Sequence, residues 1–214
     1  MGRTEAGAGG GAAARRWAGW LAAGWLGAVL SGCGGGGVAP PVSAYRLAGP
    51  PALPAPARPL PGLLAVGRLQ ADGPLNGRAM LYTVPGRPLE LRSTGDRRWI
   101  APPPRLLQAY LVAGLRAARA ARNVAVQDAR LRPRYRLRGE LLAFEHRRGR
   151  GEVRLEAVLR LEAAREGRVY WSRRVLERVP VTGDDPHALA RAFSRAAEGL
   201  LKALLAGVAE TAGD

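Results

Sequence analysis

The sequence predicts an α+β fold: a two-layer sandwich in which a mostly antiparallel or mixed sheet is covered on one face by two amphipathic helices. Three observations point there. Two long segments, from Tyr135 to Glu145 and from Glu152 to Ala164, alternate apolar and polar residues with the period of two that a half-buried strand requires. Two other segments, one opening at Pro103 and one at Pro186, carry leucines three and four residues apart, the spacing of a helix with one buried face. The composition suits one domain with appendages, with 214 residues, 47% hydrophobic and 23% charged. At 6% aromatic, the core must be built largely from Leu, Val and Ala.

The first 32 residues read as an address. Arg15 and Arg16 precede an apolar run from Trp17 to Leu30, which ends in Leu30-Ser31-Gly32-Cys33. A basic segment, a short apolar segment and small residues at the cut describe a secretory signal. The run is too short to span a hydrocarbon layer of about 30 Å comfortably. Leu-Ser-Gly-Cys resembles a bacterial lipobox, and the chain's single cysteine falls at the position such a motif requires. Cys33 is therefore the expected lipidation site, and residues 1–32 the lipoprotein signal peptide.

Residues 33–61 read as the lipidated cysteine and a tether. Gly34 to Gly37 are four consecutive glycines, and eight prolines fall between Pro40 and Pro61. Only Tyr45-Arg46-Leu47 interrupts this, so a semi-rigid spacer is expected, with a reach somewhat under about 90 Å at polyproline rise.

The domain is expected over residues 62–208, with 209–214 as a tail. Leu63 to Leu69 is an apolar strand. Arg78 to Val84 and Leu89 to Ser93 are short strands joined by the turn Pro85-Gly86-Arg87-Pro88. Pro103 to Arg122 is a helix with proline in its first turn and Leu107, Leu111 and Leu115 on one face. A short strand follows near Val124. The two long alternating strands form a hairpin around the turn from His146 to Gly151, and Val169 to Val181 is a third strand. Asp185 is the N-cap of the last helix, with Pro186 at its first position and Leu189, Phe193, Ala197, Leu200 and Leu204 on its buried stripe. These stripes are needed to cover the sheet, which leaves little apolar lining for an enclosed lipid pocket.

Net charge is +16, and all but one of the 33 cations are arginine, Lys202 being the exception. Ala, Gly, Pro and Arg are heavily used together, as GC-rich coding produces. A chain exported to the envelope meets anionic headgroups, lipopolysaccharide or acidic proteins rather than nucleic acid. Catalytic patterns are missing: there is no G-x-S-x-G, C-x-x-C or H-E-x-x-H, and one cysteine with two histidines makes no zinc site. His146 and His187 read as solvated, as does Asp184. No enzyme activity, cofactor or metal is expected. Trp99 reads as the residue that seats the first helix on the sheet, or as a partner contact if exposed. The charged sheet face carries Arg136, Arg138, Arg154, Arg160 and Arg174 among Glu140, Glu156 and Glu162. Interleaved signs describe a solvated face with cross-strand pairs, or a docking surface.

Several short stretches together resemble the ABC-type transport auxiliary lipoprotein family. They are Tyr45-Arg46-Leu47, Leu64-Ala65-Val66-Gly67, Gly77 to Tyr82, Asp96 to Pro102 with its Arg-Trp-x-x-Pro core, and Tyr135 to Leu141, in that order behind a lipobox. The resemblance implies a membrane-anchored periplasmic accessory subunit of an MCE-type lipid transport system. Its partners would be an MCE-domain protein, a permease and an ATPase, with assembly into a homo-oligomeric ring. It implies a lipid anchor, with the outer membrane favoured because Gly34 rather than Asp follows the cysteine. Trp99, Arg136, Arg138 and Arg154 are the candidate partner contacts. The alternative is a free-standing envelope lipoprotein that binds lipopolysaccharide or cell wall through its arginines.

Overall fold

A computed structural model describes residues 42–213. Cys33, the signal segment and the four glycines lie outside the described residues. Among the described residues there are eight strands and two α-helices: β1 (Ser43–Tyr45), β2 (Leu60–Val66), β3 (Ala79–Val84), β4 (Arg87–Trp99), α1 (Pro103–Ala117), β5 (Ala121–Val126), β6 (Tyr135–Arg147), β7 (Glu152–Ala163), β8 (Val169–Pro180) and α2 (Pro186–Gly213). The class is α+β, as expected.

β6 organises the sheet. One of its edges runs antiparallel to β7 along nearly the whole strand, and β7 continues antiparallel to β8. Its other edge is shared. β2 pairs parallel with the first part of β6, at Leu64 opposite Tyr135, and β3 pairs parallel with the last part, at Leu81 opposite Glu145. In the gap, Gln70 bridges to Glu140. β5 adds parallel to β2, β4 antiparallel to β3, and β1 parallel to β4. The long ladders are thus antiparallel and the short ones mostly parallel. Alternation predicts that a segment is a strand but carries no information on the direction of its neighbour.

The pairing of β6 with β7 shifts register between Leu141 and Ala143. A bulge of one residue reverses which side chains face inward. Before it, Tyr135, Leu137 and Leu141 are buried; after it, Phe144 and His146 are. On β7 the alternation is uninterrupted, and Val153, Leu155, Ala157, Leu159 and Leu161 are all fully buried.

Phe144 completes an aromatic cluster. It stacks on Phe193 of α2 with ring centroids 4.2 Å apart, and both meet the edge of Trp99, at 5.4 and 5.3 Å. Trp99 is 1% exposed. It therefore fastens the end of β4 to β6 and to the second helix, not the first. Glycines let α2 lie close: a β-carbon at Gly207 would stand 2.4 Å from the Trp171 ring, and one at Gly199 would meet the Glu177 carboxyl group.

Several boundaries differ from expectation. β2 spans Leu60–Val66 rather than Leu63–Leu69, and β4 spans Arg87–Trp99 rather than Leu89–Ser93, because ladder pairing with β5 and β3 extends beyond the apolar runs. α1 ends at Ala117 because Arg119 takes a left-handed conformation (φ 50°), and the following residues pair with β2 instead of continuing the helix. α2 runs on through the expected tail to Gly213, with Thr211 buried and its hydroxyl donating to the Gly207 carbonyl at 2.8 Å. The largest correction concerns the tether. Tyr45 pairs opposite Trp99, Leu60 is fully buried, Leu47 is nearly so, and Leu53 packs against the core. The Ala48 amide donates to Ser194 Oγ on α2 at 2.9 Å. Prolines hold this segment extended and remove periodicity, yet single leucines still reach the core.

Replacing Leu60 with Ala should cost about 2–5 kcal/mol, the usual range for emptying a buried leucine site. Urea unfolding measures this directly. A segment acting only as a spacer would show no change.

Candidate functional site

The outer face of the meander is laced with ion pairs. Arg147 meets Glu152 at 3.1 Å directly across β6 and β7. Glu162 receives both Arg138 at 2.9 Å and Arg136 at 3.6 Å. Glu156, only 2% exposed, is held between Arg154 on its own strand and Arg174 of β8, and Arg154 also reaches Glu145 at 3.5 Å. Burial alone would raise the pKa of Glu156, but hydrogen bonds from Arg174 and Arg154 outweigh it and hold the carboxyl below its usual value. The bulge in β6 makes this lattice fit, because it turns Glu145 and Arg147 outward, opposite Arg154 and Glu152.

Of the candidate contacts, Trp99 is interior and offers no surface to a partner. Arg154 is held by Glu156 and Glu145, and Arg136 is mostly covered. Arg138 is the most accessible of the four. Cys33 lies outside the described residues.

His146, expected to be solvated, is 5% exposed. Alternation continued without a bulge would have placed it on the outer face. Its Nδ1 stands 3.2 Å from Asp184 Oδ1. Asp184, also expected in solvent, joins three elements. Arg148 grips its carboxylate at 2.8 and 3.2 Å, Arg97 donates to its carbonyl at 2.8 Å, and the Arg148 guanidinium lies 3.6 Å above the Tyr82 ring. Asp185 caps α2 as expected, accepting the His187 and Ala188 amides at 3.2 and 3.0 Å. No group of three metal-ligating side chains occurs among the described residues.

A cleft of about 820 Å³ opens where the first turn of α1, the ends of β2 and β5, and the middle of β6 and β7 meet. Arg68, Arg105, Arg138 and Arg160 line it together with Glu140 and Glu162. Sequence reading did not single out Arg68 or Arg105 as site residues. One follows β2 and the other opens α1, and no local pattern signals that they share a cleft with β7.

The fold is shared with solved structures. A Xanthomonas campestris protein of the DUF330 family superposes with a TM-score of 0.68 at 22% identity, over 77% of this chain and 93% of that one. An uncharacterized protein gives 0.59 at 20% identity, over 79% and 97%. No curated protein matches. The helix-covered mixed sheet thus defines a DUF330-like fold. Residues 45–204 match the profile of the ABC-type transport auxiliary lipoprotein component, and the chain belongs to that family. It is a family of transport accessories, not of enzymes, and its members are lipoproteins of the cell envelope. No helix among the described residues is long and apolar enough to cross a membrane.

Burial holds the His146 imidazole below its ordinary value of 6.5; Asp184 pulls the other way, and Arg148 adds to the lowering. A histidine whose folded pKa lies below its unfolded one contributes stability above the unfolded value and loses it as pH falls through the folded value. Wild-type stability should therefore fall as pH drops below about 6.5. His146→Gln should flatten that limb. Thermal unfolding across pH 7.5 to 5 checks this, and an unchanged slope in the variant would assign the limb to another group.

Proposed function

We propose that this protein is the lipid-anchored accessory subunit of an MCE-type lipid transporter, held by Cys33 on the periplasmic side of the envelope, at the outer membrane. Its partners are an MCE-domain protein, the permease and the ATPase, with several copies arranged as a ring. The observation that carries this reading is the family match over residues 45–204 behind a lipobox. The protein's part is docking. Its core is committed to packing and its outer face to ion pairs, so it contributes surface and position rather than bond chemistry.

The folded 43–61 segment changes how the anchor works. Ten Cα-to-Cα steps lead from Cys33 to Ser43 at the start of β1, and a chain extends at most about 3.6 Å per step. The domain can stand no further than about 36 Å from its lipid, far less than the whole Pro-rich stretch would allow as a spacer. A lipobox product carries two or three acyl chains, which suffices for stable anchoring where one chain does not.

Cys33→Ala should abolish palmitate labelling and release the protein from the membrane fraction, with the domain still folded. Crosslinking of tagged protein in intact envelopes should capture the MCE protein in wild type only. Deleting residues 50–59 should unfold the domain, as lost thermal cooperativity would show, rather than shorten its reach. Persistent labelling of Cys33→Ala would overturn the anchor assignment, and crosslinked envelopes without any transporter subunit would overturn the partnership.

A further inference from the structure

The cleft beside α1 holds an uneven charge arrangement. Arg138 and Arg160 are direct cross-strand partners in β6 and β7. Like charges placed opposite one another on a sheet destabilise it. The neighbouring carboxylate, Glu162, is already shared between Arg136 and Arg138. The guanidinium groups of Arg160, Arg68 and Arg105 have no hydrogen-bond or ion-pair partner among the described residues, and all three residues are exposed. Elsewhere on the outer face, Arg147, Arg154 and Arg174 are matched by Glu152, Glu145 and Glu156, and Arg178, opposite Arg154, stands outside the cleft. Within the cleft, four arginines face Glu140 and a Glu162 already engaged.

The walls are built rather than incidental. The Val66 carbonyl, at the end of β2, accepts the Gln108 side-chain amide of α1 and the Gln127 backbone amide after β5, both at 2.9 Å. These bonds tie three elements into one rim. Gly67 and Gly139 line the cleft without side chains, and a β-carbon at Gly139 would stand 2.3 Å from the Val158 carbonyl oxygen. A concave surface with an excess of one sign of charge focuses its field on what enters. Guanidinium groups from different elements suit an anion whose charge is spread over several oxygens, which each can grip through paired N–H donors.

We infer that this cleft is a phosphate-binding site, in which Arg68, Arg105 and Arg160 hold the phosphate group of a lipid headgroup or of a soluble phosphate. The inference does not rest on the transporter reading, since it concerns the purified protein alone.

The test is calorimetric titration of the full-length protein in neutral detergent with two probes, glycerophosphoglycerol as a deacylated lipid headgroup and inorganic phosphate. Both should bind if the phosphate alone is recognised, and tighter binding of glycerophosphoglycerol would identify the headgroup as the source. Arg160→Gln should weaken binding about tenfold, the usual scale for one charge-assisted contact, and Arg68→Gln/Arg105→Gln/Arg160→Gln by more. The control is Arg58→Gln/Arg165→Gln/Arg173→Gln, which removes the same charge from exposed positions away from the cleft. It should leave affinity within about threefold. Unchanged melting temperatures confirm that each variant is folded. Equal losses in cleft and control variants would overturn the site in favour of net charge. Absence of binding by both probes at millimolar concentration, or binding of a poly-glutamate peptide at the cleft where phosphate does not bind, would also overturn it.

Discussion

The single extra residue in β6 between Leu141 and Ala143 is the constraint on which both faces of the sheet depend. Without it, Phe144 would point to solvent, and the stack with Phe193 and the edge contacts with Trp99 would be lost. Glu145 and Arg147 would turn inward, leaving Glu152 unpaired and Arg154 with Glu156 alone. One backbone irregularity thus places an aromatic cluster on one side and a salt-bridge lattice on the other. It also buries His146, where the first turn of hairpin loop approaches the start of α2 through Asp184.

The second layer depends on close approach. α2 carries Gly199 and Gly207 about two turns apart, and these notches receive Glu177 and Trp171 of β8. Gly114 of α1 receives Leu201 of α2 in the same way. Burial in the first notch raises the pKa of Glu177, while Lys202 pulls it the other way. Small residues let the helices sit against the sheet at a distance that leucine-sized neighbours would prevent, and the large side chains come from the facing element.

Arginine content by itself says little about binding, because most of the sheet-face arginines are spent on carboxylates within the fold. What distinguishes the cleft is imbalance. There a like-charge pair across two strands shares too few carboxylates, and two further arginines arrive from elements distant in sequence. Under the proposed Cys33 anchor the domain would meet lipid phosphate groups at high local density, and such an imbalance would be filled from outside.

The sequence alone determined much of the architecture. Uninterrupted alternation marked β7 to within a residue, Asp185 and Pro186 marked the start of α2, and the leucine spacing marked both helices, since these signals are local. The lipobox and the ordered family stretches pointed to the family, because they are patterns of residue type and need no folding to be read. The tertiary structure decided the rest. The Pro-rich segment carries no period, and the contacts of Tyr45, Leu47 and Leu60 show how it packs into the domain. A bulge leaves no trace in residue type, so the inward turn of Phe144 and His146 could not be foreseen. The cleft joins Arg68, Arg105 and Arg160 across some ninety residues of chain, and charges that far apart in sequence become neighbours only when β6 gathers its strands on two edges.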